Sequence, residues 1–207
     1  MKKILIILLS ISLLFIGGCA TVYLSSDGKQ LSAKHNIVAI LPPNIVLKST
    51  KGMSAEAVKQ QQLAEAKVFQ QEIYTYMLKR KSKGQMVIDI QDVEKTNVVL
   101  KKNNLDVSNL TTAELCGFLE VDGILSSQFS LSKPMSGGTA VALLFLTGFG
   151  ASTNEVTVSM SLKDCSKKSL IWKYDHKYSG GVLSSPASLV QSLMKDASKK
   201  MPYFKSY

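Results

Sequence analysis

From Val156 to Leu162 the chain alternates without a break: Val156, Val158, Met160 and Leu162 are apolar, while Thr157, Ser159 and Ser161 are polar. Successive side chains of a strand point to opposite faces, so this segment predicts a strand with one face in a core and the other toward solvent. The next apolar stretch repeats the device. Leu170, Trp172, Tyr174 and His176 fall on one face, Lys173, Asp175 and Lys177 on the other. The polar connection Lys163 to Ser169 suits a hairpin between the two strands. A chain holding this pair must build an antiparallel sheet and cover one side of it.

The remaining patterns supply the cover. Ile37 to Leu41 is a β-branched apolar run that reads as a strand buried on both faces, and Pro42 and Pro43 end it or force an edge. Ser54 is placed to cap a helix with Glu56 in its first turn. Val58, Ala66, Phe69, Ile73, Tyr76 and Met77 then recur at helical spacing as far as Lys83 and Gly84. Met86 to Ile90 is a short strand candidate. Asp92 caps a helix to Lys102, and Thr111 with Glu114 has the spacing of a capping box for a brief helix through Leu119. Asp122 and Gly123 turn the chain into a strand from Ile124 to Leu131. Ser185 and Pro186 open a last helix, whose stripe runs through Leu189, Val190, Leu193, Ala197 and Met201. The order is β, α, β, α, short α, β, β, β, α: a single α/β domain, residues 36–207, with a mixed sheet flanked by helices. The whole chain's 45% hydrophobic and 19% charged residues are enough for a real core and exclude disorder.

The amino terminus is of another kind. Lys2 and Lys3 precede the apolar run Ile4 to Ile16, which is too short to span a bilayer, a task that takes roughly 20 apolar residues. A positive start and a short apolar run are the marks of a secretory signal. The closing Ile16, Gly17, Gly18, Cys19 resembles the bacterial lipoprotein box. That resemblance implies a signal peptide over residues 1–18, cleavage between Gly18 and Cys19, and fatty acyl chains such as palmitate on Cys19. Several such chains anchor a protein stably where one would not. Ala20, where the enterobacterial pattern for retention has Asp, implies sorting to the outer membrane, with the domain facing the periplasm. Residues 19–35 show no sustained period and read as a flexible tether.

Export changes the meaning of the charge. The whole chain carries 25 Lys and Arg against 15 Asp and Glu, a net of +10; without Lys2 and Lys3 the difference is +8. An exported protein does not meet the genome, so nucleic acid is excluded as the expected partner of this basic surface. Anionic headgroups, lipopolysaccharide phosphates, a cell-wall polymer or an acidic protein remain.

The strand Ile37 to Pro43, the phrase Leu119-Glu120-Val121-Asp122-Gly123-Ile124-Leu125 and the hairpin reaching Leu170-Ile171-Trp172 resemble a group of periplasm-facing lipoprotein domains. The group includes the periplasmic domain of the curli secretion channel CsgG, the penicillin-binding-protein activator lipoprotein B and the amino-terminal domain of TolB. The resemblance covers roughly residues 36 to 203. It implies an envelope setting and partner binding or assembly as the task, and it carries over no catalytic residue.

The sequence contains no Gly-x-Ser-x-Gly elbow, no phosphate loop ending in Gly-Lys-Ser or Gly-Lys-Thr, and no paired-histidine zinc helix. His35 reads as a solvated linker residue, and His176 and Asp175 point to opposite faces of one strand, which argues against an acid–base pair. Asp89 with Asp92 and Glu120 with Asp122 could be imagined as paired carboxylates, but cap and turn roles explain Asp92 and Asp122 better. Catalytic and metal sites are therefore not expected, nor any cofactor beyond the lipid on Cys19. With Cys19 acylated, Cys116 and Cys165 have one possible pairing. The compartment permits it, while a helix face and a hairpin turn are a doubtful geometry for it.

One segment stands out. Residues 137–152 are apolar and no charge occurs from Pro134 to Asn154, in a place where a hairpin needs only a few polar residues. Val141, Leu143, Leu144, Phe145, Leu146 and Phe149 would, if exposed, mark a partner or membrane contact. Core packing, a protein interface and membrane insertion all stay open. The leading expectation is a non-enzymatic outer-membrane lipoprotein that binds an envelope partner and supports assembly or regulation of a complex. The alternative is an oligomeric subunit of a secretion or export apparatus that uses residues 137–152 to self-associate or touch the membrane. An enzyme acting on cell wall or lipid comes third.

Overall fold

The alternating segments pair as their pattern requires: strand β6 (Glu155–Asp164) lies antiparallel to β7 (Ser169–Ser179), and β6 is antiparallel to β5 (Gly123–Leu131) as well. The structure, a computed structural model, describes residues 20–48, 50, 52–132, 135, 155–179 and 185–205. In chain order the other elements are β1 (Thr21–Leu24), α1 (Gly28–Ser32), β2 (Ile37–Ile40), β3 (Asn44–Leu47), α2 (Ala55–Ser82), β4 (Asp89–Ile90), α3 (Val93–Lys102), a 3-10 turn (Val107–Asn109), α4 (Thr112–Leu119) and α5 (Pro186–Ala197). The strands form one mixed seven-stranded sheet in the order β1-β7-β6-β5-β2-β4, with β3 also on β5.

Both β2 and β3 run parallel to β5 and share its length. Val38 to Ile40 pair with Gly123 to Leu125, and Asn44 to Leu47 with Gln128 to Leu131. Pro42 and Pro43, which have no N–H to give, fall in the gap between them. The prolines thus end the first strand as expected, and the chain then resumes on the same neighbour, a return the sequence reading did not anticipate. Met86 to Ile90 is a strand only at Asp89–Ile90, while Met86 forms a lone bridge to Phe204.

Helices α2 and α5 cover one face of the sheet. Phe69, Ile73 and Met77 from α2 and Leu189, Leu193 and Met194 from α5 meet Phe129, Val158, Met160, Leu162 and Trp172 from the strands. On the other face α3 and α4 cover only β2 and the start of β5, where Leu100, Leu115 and Leu119 pack on Ala39, Leu41 and Ile124. The helix starts are fixed by side-chain caps. Ser54 accepts from the Ala57 N–H, and Thr111 and Glu114 form the expected capping box. Ser185 and Ser188 make a second box, with Pro186 in the first turn. Among the described residues no helix is long and apolar enough to cross a membrane.

The expected tether is corrected. Thr21 to Leu24 pair with Asp175 to Trp172, so the described part of residues 19–35 adds an edge strand and a short helix to the domain. The cause is the free edge of β7, whose backbone groups a four-residue extended segment can satisfy.

Candidate functional site

Cys19 and Gly18, chosen for lipidation and cleavage, lie outside the described residues, as do Val141, Leu143, Leu144, Phe145, Leu146 and Phe149 of the apolar insertion. What the structure fixes is the chain beside them. Thr21, two residues after Cys19 in sequence, is already paired to Asp175. The start of β1 at Thr21 lies toward the same end of the sheet as the ends of β5 and β6 at Leu131 and Val156.

The most concentrated polar chemistry lies at the opposite end. His35, between α1 and β2, places Nε2 2.7 Å from Asp164 Oδ1 and Nδ1 2.6 Å from the Tyr203 hydroxyl. Asp164 ends β6 and its other oxygen accepts from the Ser166 hydroxyl and the Lys167 N–H. The side chains of His35 and Asp164 are only 3% and 2% exposed, so His35 is a buried junction residue and not the solvated linker residue expected. With Nε2–H donating to the carboxylate, Nδ1 accepts from the Tyr203 O–H. Burial pushes Asp164 up, but the bonds from His35, Lys167 and Ser166 outweigh it and hold the carboxyl below its usual range. Burial pushes the Tyr203 hydroxyl well above its ordinary value, with Asp164 and Asp122 adding to the effect.

The Asp122-Gly123 pair is shaped by this junction. Asp122 Oδ2 accepts from the Asn36 and Ile37 N–H groups at 2.7 and 3.1 Å, which pins the entry of β2 beside that of β5. A Cβ at Gly123 would stand 2.5 Å from the Tyr203 hydroxyl and 2.9 Å from His35 Nδ1, so only glycine lets the three side chains meet. A cavity of about 360 Å³ borders His35, Asp122 and Asp164. Both ring nitrogens are already bonded to protein groups, however, and a buried phenol with a raised pKa is a poor nucleophile. The chemistry fits a tie between three distant parts of the chain better than a proton relay.

A covalent tie lies alongside. Cys116 of α4 and Cys165 of the β6–β7 turn are disulfide-bonded, with Cα atoms 5.7 Å apart, correcting the doubt raised from their local settings. The reason is tertiary. Helix α4 leads directly into β5, β5 pairs with β6 up to Gly123 and Asp164, and the turn after Asp164 therefore folds back over α4. The Cys165 N–H also donates to the Asp122 carbonyl at 2.9 Å.

The other imagined sites resolve into structure. Asp92 caps α3 and accepts from the Tyr74 hydroxyl, Asp89 pairs with Lys81, and Glu120 closes α4 with φ of 53°. His176 belongs to an aromatic row on the helix-covered face of β7, its ring 6.0 Å from Tyr174 and 4.1 Å from Tyr178. Desolvation lowers its pKa, and its Nδ1 is buried with no partner among the described residues. Sequence reasoning missed His35 and Tyr203 because they lie 168 residues apart. The one local signal was the glycine at the entry of a buried strand.

No protein-family model matches the chain, and no curated protein matches it. Solved structures do. Lipoprotein GNA1162 from Neisseria meningitidis is 12% identical, covering 78% of this chain and 94% of its own, with a TM-score of 0.46. The PelC dodecamer from Paraburkholderia phytofirmans is 10% identical over 92% of this chain and 100% of its own, at 0.44. The LpoB C-terminal domain from Escherichia coli is 13% identical over 74% and 95%, at 0.36.

Proposed function

We propose that this is an outer-membrane lipoprotein, anchored through acylated Cys19, whose α/β domain binds another envelope component and supports assembly or regulation of a complex without catalysing a reaction. The observation that carries the reading is the Cys116–Cys165 disulfide, a bond that persists in oxidising compartments such as the periplasm and is rare in the cytosol. The lipoprotein box at Ile16 to Cys19 and a strand that is already paired at Thr21 support it from the other side, because a short link from Cys19 would leave the domain close to such an anchor. Mass spectrometry of the cell-purified protein should find Cys19 as the first residue, carrying three acyl chains. In-cell crosslinking from the domain should repeatedly recover one specific envelope component. An unmodified amino terminus overturns the anchor, and repeated recovery of no component overturns the binding role.

A second reading, an oligomeric subunit of an export apparatus, is favoured by the residues that flank the apolar segment 137–152: Leu131 and Glu155 lie toward the same end of the sheet as Thr21, two residues after Cys19 in sequence. Changing Leu144 and Phe145 to Asp should then abolish oligomers in sedimentation, and unchanged sedimentation rejects it.

A further inference from the structure

At the end of the sheet where β5 begins at Gly123, a cleft of about 460 Å³ opens between the carboxyl ends of α2 and α5 and the tail beyond α5. Arg80, Lys195, Lys199 and Lys205 line it, with Gln85 and Phe204. Of the 25 basic residues in the chain, Arg80 is the single arginine. Its guanidinium is fixed by neutral partners: Nε and Nη2 donate to the Tyr76 hydroxyl at 2.9 and 2.7 Å, and Nη1 donates to Gln85 Oε1 at 2.7 Å. The charge also sits 5.0 Å from the Tyr76 ring centre. A guanidinium has five N–H donors, so two are left without an acceptor among the described residues.

The walls are fixed as well. The Gln85 N–H donates to the Arg80 carbonyl, the Lys205 N–H to the Gln85 carbonyl, and Phe204 bridges to Met86. Among the described residues the only carboxylate ion-paired with any of the four cations is that of Asp196, which holds Lys199 at 2.9 Å. Like charges gathered in a preformed cleft repel one another unless an anion enters, and a pre-oriented guanidinium fork matches a planar carboxylate.

We propose that this cleft binds an acidic peptide segment of a partner protein, with carboxylates on Arg80, Lys195 and Lys205 and an apolar side chain against Phe204. Headgroups of a bilayer held by an acylated Cys19 would be the less suitable ligand, because β1 starts toward the opposite end of the sheet. Thr21 is level with Gln128 through Asp175 and Ser159, which leaves ~17 Å of strand between it and Gly123. Gly123 is the residue that Tyr203, next to Phe204, reaches. The site deepens the partner-binding reading and rests on it only for the class of partner.

The test is fluorescence anisotropy of a labelled hexaglutamate peptide against the full chain in neutral detergent. Saturable binding is expected, weakening as salt rises. Arg80→Lys, which keeps the charge and loses the fork, should bind roughly tenfold more weakly. The exposed pair Lys195→Gln with Lys205→Gln, which leaves the fold untouched, should weaken binding and flatten its salt dependence. Lys59→Gln with Lys95→Gln, away from the cleft, should change nothing. The proposal is overturned if all variants bind alike. It is overturned too if pyrophosphate or phosphatidylglycerol vesicles compete at the cleft more tightly than the peptide, which would make it a phosphate or lipid site. An unacylated Cys19 would defeat the anchor and leave every one of these measurements unchanged.

Discussion

At one end of the sheet the buried side chains of His35, Asp164 and Tyr203 join segments far apart in sequence through short hydrogen bonds, and Cys116–Cys165 adds a covalent link. At the other end Glu155 receives Lys48 at 2.7 Å and Lys177 at 2.8 Å, with the lysine side chains 44% and 60% exposed. The distances are nearly the same, but the surroundings are not. A buried polar group that loses its partner keeps its full desolvation penalty, whereas an exposed ion that loses its partner returns to water. The end of the sheet at Leu131 and Val156 is held by replaceable contacts, and the end at Gly123, next to the basic cleft, by contacts that share His35 and Asp164 as partners.

The largest effect expected from breaking this contrast is at the disulfide. It closes a loop with a sequence separation of 49, for which the chain-entropy relation gives about 4 kcal/mol, so Cys116→Ser with Cys165→Ser should lower unfolding free energy in urea by about that amount. A loss below about 1 kcal/mol would mean that the hydrogen-bonded junction closes the loop unaided. Asp164→Ala comes next. It strands His35 Nε2, the Ser166 hydroxyl and the Lys167 N–H together, and it should cost about 3 kcal/mol. Tyr203→Phe should cost less, and a double-mutant cycle with Asp164→Ala should show coupling, because His35 bonds both. Strict additivity would sink the idea of one connected junction.

The same contrast separates what was legible in the sequence from what was not. The β6–β7 hairpin, the long helix after Ser54 and the box of Thr111 and Glu114 rest on periodicity or on bonds spanning a few residues, so local pattern suffices. Strand β1 was missed because Thr21-Val22-Tyr23-Leu24 is only four residues long and becomes a strand only by pairing with β7. The partnerships of His35 and of Cys116 with Cys165 exist only once β5 and β6 are in register, which no local window contains. The site residues chosen from sequence, Cys19 and the 137–152 segment, were legible as motifs of composition and lie outside the described residues.

His176 gives a smaller effect of the buried kind. Its pKa is lowered by desolvation, so below pH 6.5, the ordinary value, the unfolded chain takes up a proton that the folded chain resists. Stability should be flat above pH 6.5 on this account and fall below it, by at most about 1.4 kcal/mol per pH unit. His176→Phe, which keeps a ring between Tyr174 and Tyr178, should remove that slope in melting curves taken from pH 7.5 to 5.5. An unchanged slope would assign it elsewhere.

The smallest effect belongs to Glu155, although its shift is the one that looks large. Lys177 first and Lys48 second lower its pKa from 4.5 to about 2. The sign follows: a carboxylate with a depressed folded pKa contributes stability that is present above pH 4.5 and is lost as pH falls through about 2. Both lysines are exposed, and salt screens such pairs, so the contribution should be slight. Glu155→Gln should leave the melting temperature at pH 7 within experimental scatter in physiological salt, with a small decrease appearing only at low ionic strength. A loss as large as that of Asp164→Ala would show that exposure does not separate the two ends. The Leu131 end would then be held as firmly as the Gly123 end, and an exposed ion-pair triad would have to be cooperating with contacts inside the sheet.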